Sequence, residues 1–141
     1  MKKNQGLPRV YSTVAVATAT LHYYVCVIML PIIASESYSS ITTYELGVMM
    51  TGHTSGVLIS YKIFEPLIRI FGVNSVLNIG FTILVLANFA LWLCVIYIEN
   101  SSDFAAIVFL SRFIGGVGSG LIDTSCLISR NYESYPNSIL E

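Results

Sequence analysis

Charged residues are scarce in this sequence. Lysine, arginine, aspartate and glutamate together make up 11% of its 141 residues, and the net charge is -1 at neutral pH. Soluble domains carry about 25% charged residues, and a nucleic-acid-binding protein needs a basic surface. The composition therefore excludes an ordinary soluble domain and a basic binder of nucleic acid.

Cysteine is also rare, and its placement argues against disulfides. Cys26, Cys94 and Cys126 all lie in apolar runs, which is typical of small buried hydrophobic residues rather than of disulfides or metal ligands. The glycines near Gly116 fit neither the dinucleotide fingerprint nor the lysine-containing nucleotide loop. We therefore expect no metal, no cofactor and no enzymatic activity.

What the chain does contain is long apolar runs. Hydrophobic residues make up 55% of the sequence, and the mean hydropathy is +0.73. A membrane-spanning helix needs roughly 20 apolar residues. The runs predict an all-α, polytopic membrane domain over residues 1–141, with spans at about 10–34, 46–64, 73–98 and 104–129. A charged, proline-bearing turn, YKIFEPLIRIFGVN, is predicted between the second and third spans.

Basic residues indicate the orientation of these spans, because short loops rich in lysine and arginine stay cytoplasmic. The two loops at residues 35–45 and 99–103 contain acidic residues but no basic ones. Both termini are therefore predicted to be cytoplasmic. Six of the seven basic residues lie on the cytoplasmic side: Lys2, Lys3, Arg9, Lys62, Arg69 and Arg130.

Arg112, the seventh basic residue, falls inside the fourth run. A mid-membrane arginine costs about 3 kcal/mol on insertion scales, so we expect it to face the bundle interior or a wet cavity. Asp123 shares its helix face but lies roughly 16 Å along the axis, too far for direct pairing. His22 and His53 fall within roughly 5 Å of Arg112 in depth. These four residues are the candidate transport and coupling residues.

Structural roles are the alternative for the same residues. Arg112 could extend to the interface or bond backbone carbonyls, and each histidine could be a hydrogen-bonded packing residue. If these residues instead form a coupled site, His22 is expected to accept a hydrogen bond from Arg112, directly or through water.

Glycines at intervals of four mark two of the runs. Gly52, Gly56 and Ser60 lie on the second run, and Gly116 and Gly120 lie on the fourth. Small residues at this spacing let membrane helices approach closely. Helix packing is therefore the first interpretation of these glycines.

The fourth run also carries a family resemblance. Residues 112–118, RFIGGVG, resemble the fourth-span motif R-x-x-Q-G-x-G of the major facilitator superfamily, with Gly116 and Gly118 as its glycines. The superfamily's turn motif G-x-L-a-D-R-x-G-R would fall on residues 65–73. Leu67 and Gly72 match it, whereas its first glycine and its charged positions are replaced here.

The first run resembles one branch of that superfamily. CVIMLPII is similar to the end of the first helix in vesicular amine transporters and related drug:proton antiporters. Those relatives have an aspartate nine residues before the proline, where this chain has His22. The resemblance covers about residues 12–136, which corresponds to four of twelve spans.

The resemblance implies part of an N-terminal six-helix half of a proton-coupled transporter. Such a protein moves a small organic solute, including a cation, by alternating access, and the fourth-span arginine influences protonation near the first span. We expect a fragment that does not transport alone, with lipid, protons and the solute as its partners.

Two alternatives are a small noncatalytic membrane subunit that packs against other subunits, and a self-contained dimeric exporter. Such exporters usually depend on a first-span carboxylate, which this chain lacks.

Overall fold

The computed structural model describes residues 6–38 and 40–134, and this part of the chain is all-helical. It contains four helices: α1 (Gly6–Ser37), α2 (Thr43–Phe71), α3 (Val73–Tyr97) and α4 (Ser101–Ser134). Three helices cover their predicted runs completely, and α3 ends one residue before the end of its run at 98. Three of them are long and apolar enough to cross a membrane, over Thr13–Glu36, Val73–Tyr97 and Ser101–Ser129. The all-α class is thus confirmed.

The second helix, α2, is not one of those three. Its buried face includes Gly52, His53, Gly56 and Ser60, and these small or polar residues lower the hydropathy of the run. The same face packs against α4. Of the four predicted spans, the first, third and fourth therefore have the length and apolarity of a membrane helix, whereas the second, α2, does not reach that apolarity.

The predicted turn between the second and third spans is present but much shorter than expected. α2 continues through Pro66 to Phe71, and an Arg69–Glu65 ion pair of 2.5 Å lies along its last turns. A proline removes one backbone hydrogen bond but does not have to end a helix. The chain reverses at the single residue Gly72, whose φ of 77° favours glycine.

α4 is the central helix. It packs against α2 on one side and against α3 on the other, whereas α1 packs much less extensively. At Gly118, a Cβ atom would lie 2.7 Å from the Gly80 carbonyl oxygen of α3. At Gly116, a Cβ atom would overlap the His53 carbonyl of α2. Small residues on several faces of α4 therefore let two helices approach its backbone.

The loops that follow α1 and α3 meet at one end of the bundle. The Tyr38 hydroxyl donates a hydrogen bond to the Ile98 carbonyl, and its ring stacks on Phe104 with centroids 4.1 Å apart. Gly72 lies between α2 and α3. Successive helices therefore run in opposite directions, with the Gly72 turn at the end away from Tyr38.

Candidate functional site

Arg112 lies inside the bundle, with only 1% of its surface exposed. Its Nη2 group donates to the Met50 sulfur of α2 at 3.9 Å, and Cζ is 5.5 Å from the centroid of the Tyr23 ring of α1. A sulfur and an aromatic face are both weak partners for a full positive charge. The guanidinium is therefore enclosed by three helices without a strong acceptor in these contacts.

The two histidines of the described chain come together beside this arginine. The ring centroids of His22 on α1 and His53 on α2 are 6.3 Å apart, and Tyr23 lies 5.0 Å from His53. The Cys26 sulfur, one turn after His22, is 3.6 Å from its Nδ1. The charge of Arg112 is close enough to act on both imidazoles and on the thiol. We call these five residues the Arg112 cluster.

Two adjacent glycines bring the histidines up to α4. A Cβ atom at Gly115 would lie 3.6 Å from His22 Nε2, and one at Gly116 would overlap the backbone carbonyl of His53. Both glycines follow Arg112 by about one helical turn, so they share its face. The glycine motif thus positions the helices that carry the histidines, whatever the function of the cluster.

The direct hydrogen bond expected between Arg112 and His22 is not found among the described residues. The guanidinium donates to the Met50 sulfur instead, and the Cys26 thiol is a further side-chain neighbour of it. Asp123 is half-buried on the same continuous helix, which keeps it roughly 16 Å from Arg112 along the axis. The structure therefore brings Arg112, His22 and His53 together and leaves Asp123 apart.

Several buried polar atoms of the cluster have no partner. Within residues 6–38 and 40–134, Nε and Nη1 of Arg112 and Nδ1 of His53 make no hydrogen bond. Such atoms are rare in folded proteins, because an unmade buried hydrogen bond costs about 1–3 kcal/mol and more for charged groups.

A cavity of about 460 Å³ opens between α1 and α3, next to the cluster. Its walls are mainly apolar, and His22 and Cys26 belong to both the cavity and the cluster. Trp92, the chain's single tryptophan, also lines it. Asn88 lines it as well and bonds the Leu84 carbonyl of its own helix at 3.0 Å.

The other residues that match the superfamily motifs, Gly118, Leu67 and Gly72, lie in packing contacts or in a turn. Gly118 packs on α3, as described above. Leu67 packs against the buried cluster of Phe64, Val76 and Leu121. Gly72, exposed in the turn, has open space around its α-carbon. In the part of the chain that the structure describes, no three histidine, cysteine or acidic side chains are placed to hold a metal ion.

Sequence reasoning missed three contributors to the site. Tyr23 and Met50 were unremarkable members of apolar runs, and the cavity position of Trp92 was not predicted. The aromatic pair Tyr23–Tyr24 directly after His22 was the one available signal, because an aromatic ring is a common neighbour for a membrane cation.

Comparisons with known proteins add no relative: no protein-family model, curated protein or solved structure matches this chain. The likeness to the major facilitator superfamily therefore depends on the residues of the motifs alone.

Proposed function

We propose that this chain forms part of a proton-coupled secondary transporter of major facilitator type, with four spans and cytoplasmic termini, that exchanges protons for a small organic solute. One observation carries the proposal. His22 lies on the wall of the α1–α3 cavity and also in the Arg112 cluster. A single titratable side chain thus faces both a space for a solute and a fixed buried charge.

Protonation of His22 would change the forces between helices. It would place a second positive charge near Arg112, and two like charges in a largely buried site repel each other more strongly than they do in water. The titratable groups that contact His22 are Cys26 of α1 and His53 of α2, and the Tyr23 ring lies beside His53. Since α1 is the least packed helix, it is the element that this repulsion would move.

The cavity suits a small organic cation. Its volume lies within the range of about 300–1,000 Å³ that is typical of ligand pockets. The Trp92 ring offers a π face for a cation, and a neutral His22 offers no repulsion. A proton on His22 would repel the cation. Proton and solute would therefore exclude one another, which is the requirement for exchange.

Trp92 provides a direct test, because it is the single tryptophan of the chain and lines the cavity. The purified full chain in lipid nanodiscs is titrated with tetraphenylphosphonium at about pH 7.5 and about pH 5.5, on either side of the usual histidine range. We expect a saturable change at the higher pH and weaker binding at the lower one. His22→Gln should remove the pH dependence.

The matched control is Thr20→Ala, at an exposed position of α1 outside the cavity wall. It should bind as the unmodified chain does. Binding that ignores both pH and the His22 substitution would contradict the proposal, as would a fluorescence change that never saturates.

The alternative of a noncatalytic subunit would need a surface for partners. The small-residue stripes, which could serve as such a surface, are engaged within the chain, where Gly52 and Gly56 face Phe109 and Phe113 of α4. A partner would therefore have to pack on the outer apolar faces instead.

A further inference from the structure

The charge of Arg112 has no counter-charge nearby in the described chain. A guanidinium is always charged in proteins, and this one is buried with two of its three nitrogens unpartnered. An unpaired buried charge is strongly destabilising. Something must therefore offset this charge in the folded protein.

Acidic side chains do not supply that offset. On α4, Asp103 and Asp123 precede and follow Arg112 by nine and eleven residues, which is roughly 14 and 16 Å along the helix. Glu65, near the end of α2, pairs with Arg69. Glu133 follows Arg112 on α4 by 21 residues, which is roughly 32 Å along the helix. The remaining acidic residues of the described chain are Glu36 at the end of α1, Glu45 at the start of α2 and Glu99 in the loop after α3, all at the Tyr38 end of the bundle.

We propose that Arg112 and His53 bind a small monovalent anion, with chloride as the representative ligand. The donors are Nε and Nη1 of Arg112 and the Nδ1–H of His53, in the tautomer that carries its proton there. Both side chains are more than nine-tenths buried, and these atoms have no partner within the described residues. They come from facing helices, because Gly116, one turn beyond Arg112, packs on the His53 backbone.

Charge and space determine the size of the ligand. One fixed positive charge is neutralised by one negative charge, so a divalent anion would leave an excess. The 460 Å³ cavity does not include Arg112 in its walls, which argues against a large organic anion. These limits fit a halide.

This inference does not depend on transport, although a bound anion would weaken the repulsion between Arg112 and a protonated His22 that the proposed function invokes. It follows from burial and unpartnered donors, and it holds for a transporter, a subunit or any other role of the chain. Its experiment measures anion binding and stability without a solute, so it can fail while the cation-binding test succeeds, and the reverse.

The experiment follows thermal unfolding of the purified full chain by circular dichroism. Sodium gluconate is replaced stepwise by sodium chloride at constant ionic strength. Because a ligand that binds only the folded state stabilises it by mass action, the melting temperature should rise saturably. Arg112→Gln should remove the rise. The matched control, Arg69→Gln at an exposed position, should retain it.

Chloride-35 NMR supplies a readout that does not require a stable Arg112→Gln variant. Bound chloride should broaden the resonance of the unmodified chain, and bromide but not gluconate should reverse the broadening. Arg112→Lys keeps the charge but loses the guanidinium donors, and it should weaken binding about tenfold, the equivalent of about 1.4 kcal/mol. Equal melting temperatures in chloride and gluconate, or broadening unchanged in Arg112→Lys, would overturn the proposal.

Discussion

Glycine residues set the distance between α2 and α4. A Cβ atom at Gly56 would overlap the Phe113 carbonyl, and one at Gly120 would overlap the Ser60 hydroxyl. The two stripes therefore face each other, with backbone against backbone. Close approach of this kind strengthens dispersion contacts between helices, which matter in lipid because the hydrophobic effect does not drive helices together there.

Two glycines of α2 differ in the space around them, so their alanine variants should differ in stability. Gly56→Ala should destabilise the fold by about 1–3 kcal/mol, because the added methyl group has to push α4 away. Gly47→Ala should be neutral or stabilising by about 0.5–1 kcal/mol, since Gly47 has open space around it and alanine favours a helix. Reversible unfolding in mixed micelles measures both. Equal stabilities would show that the α2–α4 contact is looser than described.

Sequence reasoning reached part of this site. The four-residue spacing predicted the packing role of Gly52, Gly56, Gly116 and Gly120, and the cost of a membrane charge predicted an interior Arg112. The sequence did not predict the contact between Tyr23 and Arg112, because α1 is apolar on most sides. Without a polar stripe, the sequence does not determine how such a helix is rotated about its axis or which side chains meet α4.

At the level of elements, the start of α2 is defined by a capping box. The Thr42 hydroxyl accepts a hydrogen bond from the Glu45 amide at 3.2 Å, and the Thr42 amide donates to the Glu45 carboxylate at 2.7 Å. These reciprocal bonds satisfy amides that have no partner within the helix. The backbone bond from Thr42, together with that from its hydroxyl, lowers the pKa of the Glu45 carboxyl below its usual value.

A pH dependence follows from this cap. Because the folded-state pKa of Glu45 is lowered, its contribution to stability is complete above the unfolded-state pKa of about 4.3 and is lost as pH falls through the folded value. Amide hydrogen exchange at the first turn of α2, corrected for its intrinsic pH dependence, should therefore accelerate on acidification.

Glu45→Gln should remove this acid-dependent acceleration from the first turn of α2. Glu36→Gln, at an exposed position at the end of α1, serves as the control and should leave the pH response of α2 unchanged. The same acid response in the Glu45 variant would mean that another group governs the start of the helix.

The elements themselves were largely predictable, since four apolar runs became four helices. The error fell at residues 65–71, where proline and charged residues are ordinary signals of a turn. Pro66 is exposed, and the helix continues around it as far as Gly72. A proline pattern alone could not distinguish an interrupted helix from a continued one, because that outcome depends on the contacts of the following turn with Val76 and Leu121.

In the whole molecule, the central position of α4 determines how the other three helices are arranged. This helix separates α2 from most of α3 and presents Arg112 to the lightly packed α1. The clustering of five small residues at 115, 116, 118, 119 and 120 was the sequence signal for a central helix, since it leaves little side-chain bulk on several faces. In our proposal, α4 and α1 form one proton-responsive pair. The central helix supplies the buried charge of Arg112, and the peripheral helix supplies the titratable His22.

The orientation of this bundle in a membrane is the last prediction. The loops near Ser40 and Ser102 meet through the contacts of Tyr38, while Ser75 follows the Gly72 turn at the other end. Since Lys62 and Arg69 lie toward the Gly72 end and the other two loops have no basic residue, that end should be cytoplasmic.

Single cysteines are introduced at these three exposed serines after Cys26, Cys94 and Cys126 are replaced. An impermeant thiol reagent added to intact cells should label positions 40 and 102, and position 75 should react only after permeabilisation. The reverse pattern would invert the orientation, and labelling of one loop serine without the other would show that α2 and α3 do not both cross the bilayer.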